Sequence, residues 1–537
     1  MDTRRLLRTC GVALTTAVLL TSGCSGSDAS KDSSASGGTA VSGSPSPDSG
    51  GRASRATTTL QALSPEIPRN LRPYYGQKLR WRDCSVPGFQ CSTLRVPLDY
   101  DKPDPAKDLR LAVTRKKAGG PGKRLGSLHV NPGGPGGSAV EYVQLGAGVG
   151  YPEQVRARYD IVGMDPRGVA GSEPIRCLSD KEMDTFTQVD VTPDDRREVG
   201  ELTAAYEKFA KGCQEEAGEL LGHVSTVEAA RDMDVLREVL GDRKLTYVGA
   251  SYGTFLGATY AGLFPSRVGR LVLDGALDPS LTSEQLNRDQ TAGFNTAFTA
   301  FARDCVKRSD CPLGTKGTED AGRRLSAFLE RLDARPIGTG QPRKLTESLA
   351  TVGVLNAMYT EYYWPKLRSA LTAAQKGDGA ELLSLADDYY DRDADGTYGN
   401  IMYANAAVNC LDLPSPFTDP AEAEKAVPDF RKQSPVFGRT FAWSALNCAY
   451  WQHPPTGEPR RIEAKGAAPI LVIGTTRDSA TPYRWAQGLA EQLSSATLLT
   501  YDGDGHTAYV RGSDCVDSAV NAYLLRGEMP KADTECT

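Results

Sequence analysis

Gly249-Ala250-Ser251-Tyr252-Gly253 is the stretch of this chain best suited to covalent chemistry. An apolar run, 245–248, precedes it and a run of small residues, 254–258, follows it. That context reads as strand, sharp turn and helix, in which glycines let two backbones pass closely and the serine hydroxyl is lifted off the sheet end. Alone, the pentapeptide also fits an ordinary turn; the strand before it and the helix after it favour chemistry. Serine is a weak nucleophile near neutral pH and needs an adjacent base. The chain holds four histidines: His129, His223, His453 and His506. His506 lies in a polar loop, 504–507, just after an apolar run, 497–501. His129 sits inside a strand-like run and reads as structural. His223 follows a Leu-Leu-Gly turn, and His453 has no motif around it. The base in turn needs an acid to hold its tautomer and stabilise its charged form. Asp478 follows the apolar run 469–474 and suits this role. Asp502 and Asp504 adjoin His506 so closely that reaching back to its ring is awkward.

Acyl transfer also requires donors for the developing oxyanion. The segment Asn131-Pro132-Gly133-Gly134-Pro135-Gly136-Gly137-Ser138 follows an early strand-like run and exposes backbone N–H groups. Gly133 or Gly134, paired with the amide of Tyr252, is the expected hole. A phosphate-binding loop is the rival, but the G-K-[ST] ending is missing. No CxxC or HExxH spacing marks a zinc site, so no metal is expected, and the chemistry requires no organic cofactor.

Strand-like runs at 109–114, 127–131, 160–165, 244–249 and 270–274 alternate with helical patterns, which predicts an α/β sheet covered by helices on both faces. Ser225-Thr226-Val227-Glu228 reads as a capping box opening a helix that Gly241 follows. Residues 280–445 read as mainly helical and rich in aromatics, and strand signals return at 469–474 and 497–501. The organisation is therefore a leader (1–24), a tether (25–62), a first core segment (63–279), a helical cap (280–445) and a C-terminal core segment (446–537).

The leader has Arg4, Arg5 and Arg8 ahead of a short apolar stretch, 11–20, too short to remain in a membrane as a span. Thr21-Ser22-Gly23-Cys24 resembles a bacterial lipobox, so Cys24 is the expected lipid acceptor; cleavage and free secretion is the alternative. The Ser/Gly-rich tether buries too little surface to fold. Of twelve cysteines, ten follow Cys24. An even set in an exported chain reads as disulfides. The simplest pairing is sequential: 84–91, 177–213, 305–311, 410–448 and 515–536, though other connectivities stay open. The formal charge of −5, from 62 basic and 67 acidic residues, argues against a nucleic-acid partner.

The order Ser251, Asp478, His506 is that of α/β-hydrolases. PGGPGG at 132–137 is similar to the glycine loop of proline iminopeptidases, with Pro132 where they have histidine. Asp165-Pro166-Arg167-Gly168-Val169-Ala170-Gly171-Ser172 is similar to their D-x-R-G-x-G-x-S segment. With GASYGT at 249–254 and the TP after Asp478, the chain from residue 65 onward resembles actinobacterial secreted tripeptidyl aminopeptidases. The resemblance implies an α/β-hydrolase fold with a cap inserted between nucleophile and acid/base residues. It also implies release of short peptides, typically tripeptides, from free N-termini. Such an enzyme must bind an ammonium group, for which Glu361 and Asp412 are the candidates. Alternatives are a single-residue iminopeptidase, a small-molecule esterase or amidase on the same residues, or a substrate-binding lipoprotein without catalysis.

Overall fold

The computed structural model describes residues 58–537. The expected leader, Cys24 and most of the tether fall outside that range. Ten strands form one sheet: β1 (Arg82–Asp83), β2 (Gln90–Val96), β3 (Leu109–Lys116), β4 (Gly126–Asn131), β5 (Tyr159–Met164), β6 (Leu245–Ala250), β7 (Val268–Asp274), β8 (Ile470–Arg477), β9 (Ala496–Asp504) and β10 (Thr534–Cys536). Their spatial order is β1-β2-β3-β5-β4-β6-β7-β8-β9-β10. β1 to β3 run antiparallel to their neighbours, and the remainder of the sheet is parallel. The sheet is thus mixed, parallel except at the β1–β3 edge. β2 and β3 alternate buried and exposed residues along much of their length, as one-sided strands do. All six residues of β5 and the first six of β8 are buried, which fits strands covered on both faces.

The order places β4 between β5 and β6, so the chain crosses over at that point. The loops leaving the C-terminal ends of β4 and β6 become neighbours, the position where open α/β sheets hold ligands. The C-terminal ends of β7, β8 and β9 line up on the same edge. Separate apolar clusters cover the two faces of the sheet.

Between β7 and β8 the chain forms eight α-helices, from Ser283–Cys305 to Gly438–Ser444, with a core of their own around Phe298, Phe301, Leu325 and Leu349. A further helix, Arg196–Ala217, lies between β5 and β6 and was not anticipated. Leu202, Tyr206, Phe209 and Cys213 are buried along it, and it joins the cap through Trp443, Phe417 and Phe430. Five disulfides link 84–91, 177–213, 305–311, 410–448 and 515–536, the sequential pairing.

The helix Thr226–Val239 begins where expected, with Ser225 accepting from the amide of Glu228. The other half of the expected capping box differs: the Glu228 carboxylate reaches back to the Ser225 hydroxyl at 3.3 Å rather than to its N–H, and its second oxygen meets His223 and Arg167. Arg167 is fully buried. It donates to both carboxylate oxygens of Asp232 at 2.7 and 2.8 Å and to the carbonyls of Pro97, Leu98 and His223. A guanidinium so placed is satisfied only while every acceptor stays. Asp232→Ala is therefore expected to cost about 3–5 kcal/mol, because it removes the bidentate counter-charge of a buried cation and leaves only Glu228, at 3.5 Å. The shift of the urea unfolding midpoint measures this, and substrate preference should be unchanged.

Candidate active site

Ser251 sits between β6 and the helix Tyr252–Leu263 with φ 56° and ψ −127°. Non-glycine residues rarely occupy this region, and holding one there costs about 1–3 kcal/mol. The turn is pinned from both sides. The Ser251 N–H donates to the carbonyl of Asp274 at 2.9 Å, and its carbonyl accepts from Thr254 N and Oγ1 at 2.8 and 2.6 Å. Strand and helix come so close that a Cβ on Gly249 would lie 2.3 Å from the Gly253 carbonyl oxygen and 2.5 Å from the Tyr247 ring.

His506 lies beyond the end of β9. Its Nδ1 is 2.9 and 3.0 Å from the two carboxylate oxygens of Asp478. Asp478 is 2% exposed and also accepts from the amides of Ala480, Thr481 and Thr507. With Nδ1–H given to a carboxylate, Nε2 carries the lone pair. Among the described residues Nε2 is buried and has no partner. Asp502 pairs with Arg477 and Thr476, and Asp504 pairs with Arg477. Neither bonds the imidazole among the described residues.

The glycine loop after β4 lies against the Ser251 turn, since Asn131 is in register with Gly249. A Cβ on Gly133 would stand 2.5 Å from the Ala250 carbonyl and 3.0 Å from the Tyr252 amide nitrogen. Gly133 is nonetheless not a free donor. Its N–H is given to Asn131 Oδ1 at 2.9 Å, and the residue is buried. Gly134 is exposed to the cavity, and no acceptor for its N–H is found among the described residues. The Tyr252 N–H opens a helix and has no intrahelical acceptor. Gly134 and Tyr252 thus form the available donor pair, and the expectation for Gly133 is corrected.

Asp165 holds this loop. Its carboxylate accepts from Ser138 Oγ, Val140 N and Gly171 N at 2.8, 2.9 and 3.0 Å. Burial pushes its carboxyl up to about 6 against the pull of those donors. The cap helix Ile401–Asp412 rests on the same loop, so a Cβ on Gly136 would come 2.6 Å from the Ile401 carbonyl. Asn405 adds a bond to the Pro135 carbonyl.

A cavity of about 460 Å³ opens over Ser251, Tyr252 and Gly134. Its walls are largely apolar and come from the cap (Phe294, Tyr359, Tyr389), from the unanticipated helix (Tyr206, Phe209) and from the short helix Asp180–Phe186 before it (Phe186). The apolar spacing 202, 206, 209 and 213 was the signal that could have revealed the unanticipated helix. Asp412 lines this cavity and is 8% exposed. It accepts from Thr226 N at 2.8 Å and Thr226 Oγ1 at 2.5 Å, and among the described residues it has no cationic partner. Burial pushes its carboxyl up to about 7. Thr226 Oγ1 in turn meets the hydroxyl of Tyr252 at 2.5 Å. Glu361 is placed differently. It is exposed, near Arg477 and Asp504, and outside the cavity, so it cannot serve as the buried ammonium partner that the sequence suggested.

Fold and site together define a serine hydrolase of the α/β-hydrolase type. Residues 434–536, which carry Asp478 and His506, match a family described as TAP-like protein. Serine protease Hip1 of Mycobacterium tuberculosis is 38% identical over 494 residues, covering 87% of this chain and 92% of that protein. Carboxylesterase B of the same species is 41% identical over 479 residues, covering 86% and 91%. Tripeptidyl aminopeptidase of Streptomyces lividans is 32% identical over 477 residues, covering 85% and 86%. The chain belongs to this TAP-like family of serine hydrolases.

The crowding at the turn gives a sharp expectation. Gly249→Ala must push the Gly253 segment away and should abolish labelling of the protein by a fluorophosphonate probe, with the disulfides still formed.

Proposed function

We propose that this enzyme is an exported serine exopeptidase that removes short peptides, chiefly tripeptides, from free N-termini. The observation that carries the reading is a buried carboxylate with no cationic partner among the described residues, Asp412, sharing one apolar cavity with Ser251. A substrate ammonium supplies the missing charge, and a charge-assisted bond in such a site is among the stronger ones. The enclosed volume suits a short peptide. In this reading the rest of the polypeptide leaves past the Ser251 end.

Ser251 attacks the scissile carbonyl while His506 Nε2 takes its proton. Asp478 holds the imidazole and stabilises its charged form. The amides of Gly134 and Tyr252 receive the oxyanion. His506 returns the proton to the leaving amine, and water, activated by the same imidazole, releases the N-terminal fragment from the acyl-enzyme. The relatives named serine protease and tripeptidyl aminopeptidase support a peptide substrate. The relative named carboxylesterase B favours a second reading, hydrolysis of small esters on the same residues. Export, with Cys24 lipidated and the tether spacing the enzyme from the membrane, is supported by the leader pattern and by five disulfides, which persist in oxidising compartments.

Mass spectrometry of products from matched peptides with free or acetylated N-termini tests the peptidase reading. Tripeptides released only from free N-termini, with Ser251→Ala inert, are the expected result. Equal cleavage of acetylated peptides would sink it, and turnover of esters alone would favour the second reading.

A pH dependence follows from Asp412. Only its ionised form attracts an ammonium, so KM for free-amine peptides should rise as pH falls through about 7. It should rise again above about 8, where the substrate amine loses its charge. In Asp412→Asn the acid-side rise should vanish and KM should be high throughout, while hydrolysis of a small acetate ester is retained.

A further inference from the structure

The loop that carries His506 is held in an unusual way. Gly505 has φ +97°, but Thr507 and Val510, both β-branched, also have positive φ, +67° and +58°. Such residues are outliers in this region, so the loop relaxes unless its surroundings hold it. Five consecutive backbone N–H groups do so. His506 N–H donates to the Tyr359 carbonyl of the cap at 2.9 Å. Thr507 N–H donates to Asp478 at 3.2 Å. Ala508 N–H lies 3.0 Å from both carboxylate oxygens of Asp274, and Tyr509 N–H donates to one of them at 2.8 Å. Val510 N–H donates to Asp517 at 2.7 Å.

Asp274 differs from the other anchors. It ends β7, is 3% exposed and has no cationic side chain bonded to it among the described residues. A lone buried carboxylate is costly unless hydrogen-bonded, and the amides that bond it here belong to the loop of the base. The same residue's main-chain carbonyl accepts the Ser251 N–H. One residue at the tip of one strand therefore grips the nucleophile turn with its backbone and the base loop with its side chain.

We propose that Asp274 is a positioning residue for hydrolysis, fixing the base loop to the nucleophile turn so that His506 and Ser251 keep one spacing through the reaction. It touches neither substrate nor the reacting atoms; it acts through Ala508 and Tyr509 on His506. The inference rests on the assignment of Ser251 and His506 above.

The test replaces Asp274 with Asn and with Ala in the full-length enzyme. Asn is isosteric but turns an NH₂ group toward amide donors, which frees one of them. A displacement on the order of 1 Å costs about 100-fold in rate. Asp274→Asn should therefore lower kcat about 100-fold and leave KM within about threefold, because the cavity walls are untouched. Fluorophosphonate labelling should slow in parallel. In Asp274→Ala, added formate should occupy the vacated space, accept the two N–H groups and restore at least about tenfold of the lost kcat.

A kcat within about threefold of wild type, or a loss carried by KM, would overturn the proposal. So would failure of both variants to fold, since Asp274 would then be a folding determinant instead. Ser251→Ala and His506→Ala are measured alongside. If either keeps full activity the assignment of the reacting residues fails, whereas inert Ser251→Ala and His506→Ala with fully active Asp274→Asn refutes this inference alone.

Discussion

The backbone at Ser251 is held where a non-glycine residue does not rest unaided, and much of the molecule is arranged around that turn. Gly249 and Gly253 give up side chains so that strand and helix can close on it. Asp274 and Thr254 hold its amide and carbonyl. The benefit is a hydroxyl presented beyond the sheet end, next to the N–H of the following residue, which has no acceptor within its helix. A relaxed serine in a helix or strand would present neither. The strain can be borne because β6 lies between β4 and β7 in a sheet whose two faces are covered.

The cap is part of the site rather than a cover over it. Tyr359 supplies the carbonyl that receives the His506 N–H, and its ring meets the imidazole edge to face at 5.6 Å. The helix Ile401–Asp412 leans on the glycine loop at one end and presents Asp412 to the cavity at the other. Asp412 reaches Tyr252 through Thr226, so the group assigned to the substrate ammonium and the residue assigned to the oxyanion share one hydrogen-bonded chain. The disulfide 410–448 closes a long loop beside this wall, with both cysteines lining the cavity. Such a link disfavours the open chain more than the folded one.

Much of this was legible in the sequence. The strand runs, the pentapeptide around Ser251 and the positions of Asp478 and His506 all depend on local patterns: apolar periodicity, glycine placement and a polar residue just past a strand. The partner of the imidazole was legible because a carboxylate one strand away reaches the ring, whereas a neighbour in the same loop does not. Missed were the helix Arg196–Ala217, whose apolar stripe was present but unread, and the antiparallel strands at one edge. Glu361 and Asp412 could not be separated, since both stand in aromatic or apolar surroundings and burial is a property of packing.

The sequence by itself determined the class of chemistry, because serine, histidine and aspartate each follow a recognisable strand and so must meet at one edge of a sheet. Only the tertiary structure decided which acid enters the cavity and which buried aspartate joins the turn to the base. Both outcomes turn on hydrogen bonds between segments far apart in the chain: Thr226 holding Asp412, and Ala508 and Tyr509 reaching Asp274. No local pattern encodes such bonds; they exist once the sheet order has made those segments neighbours.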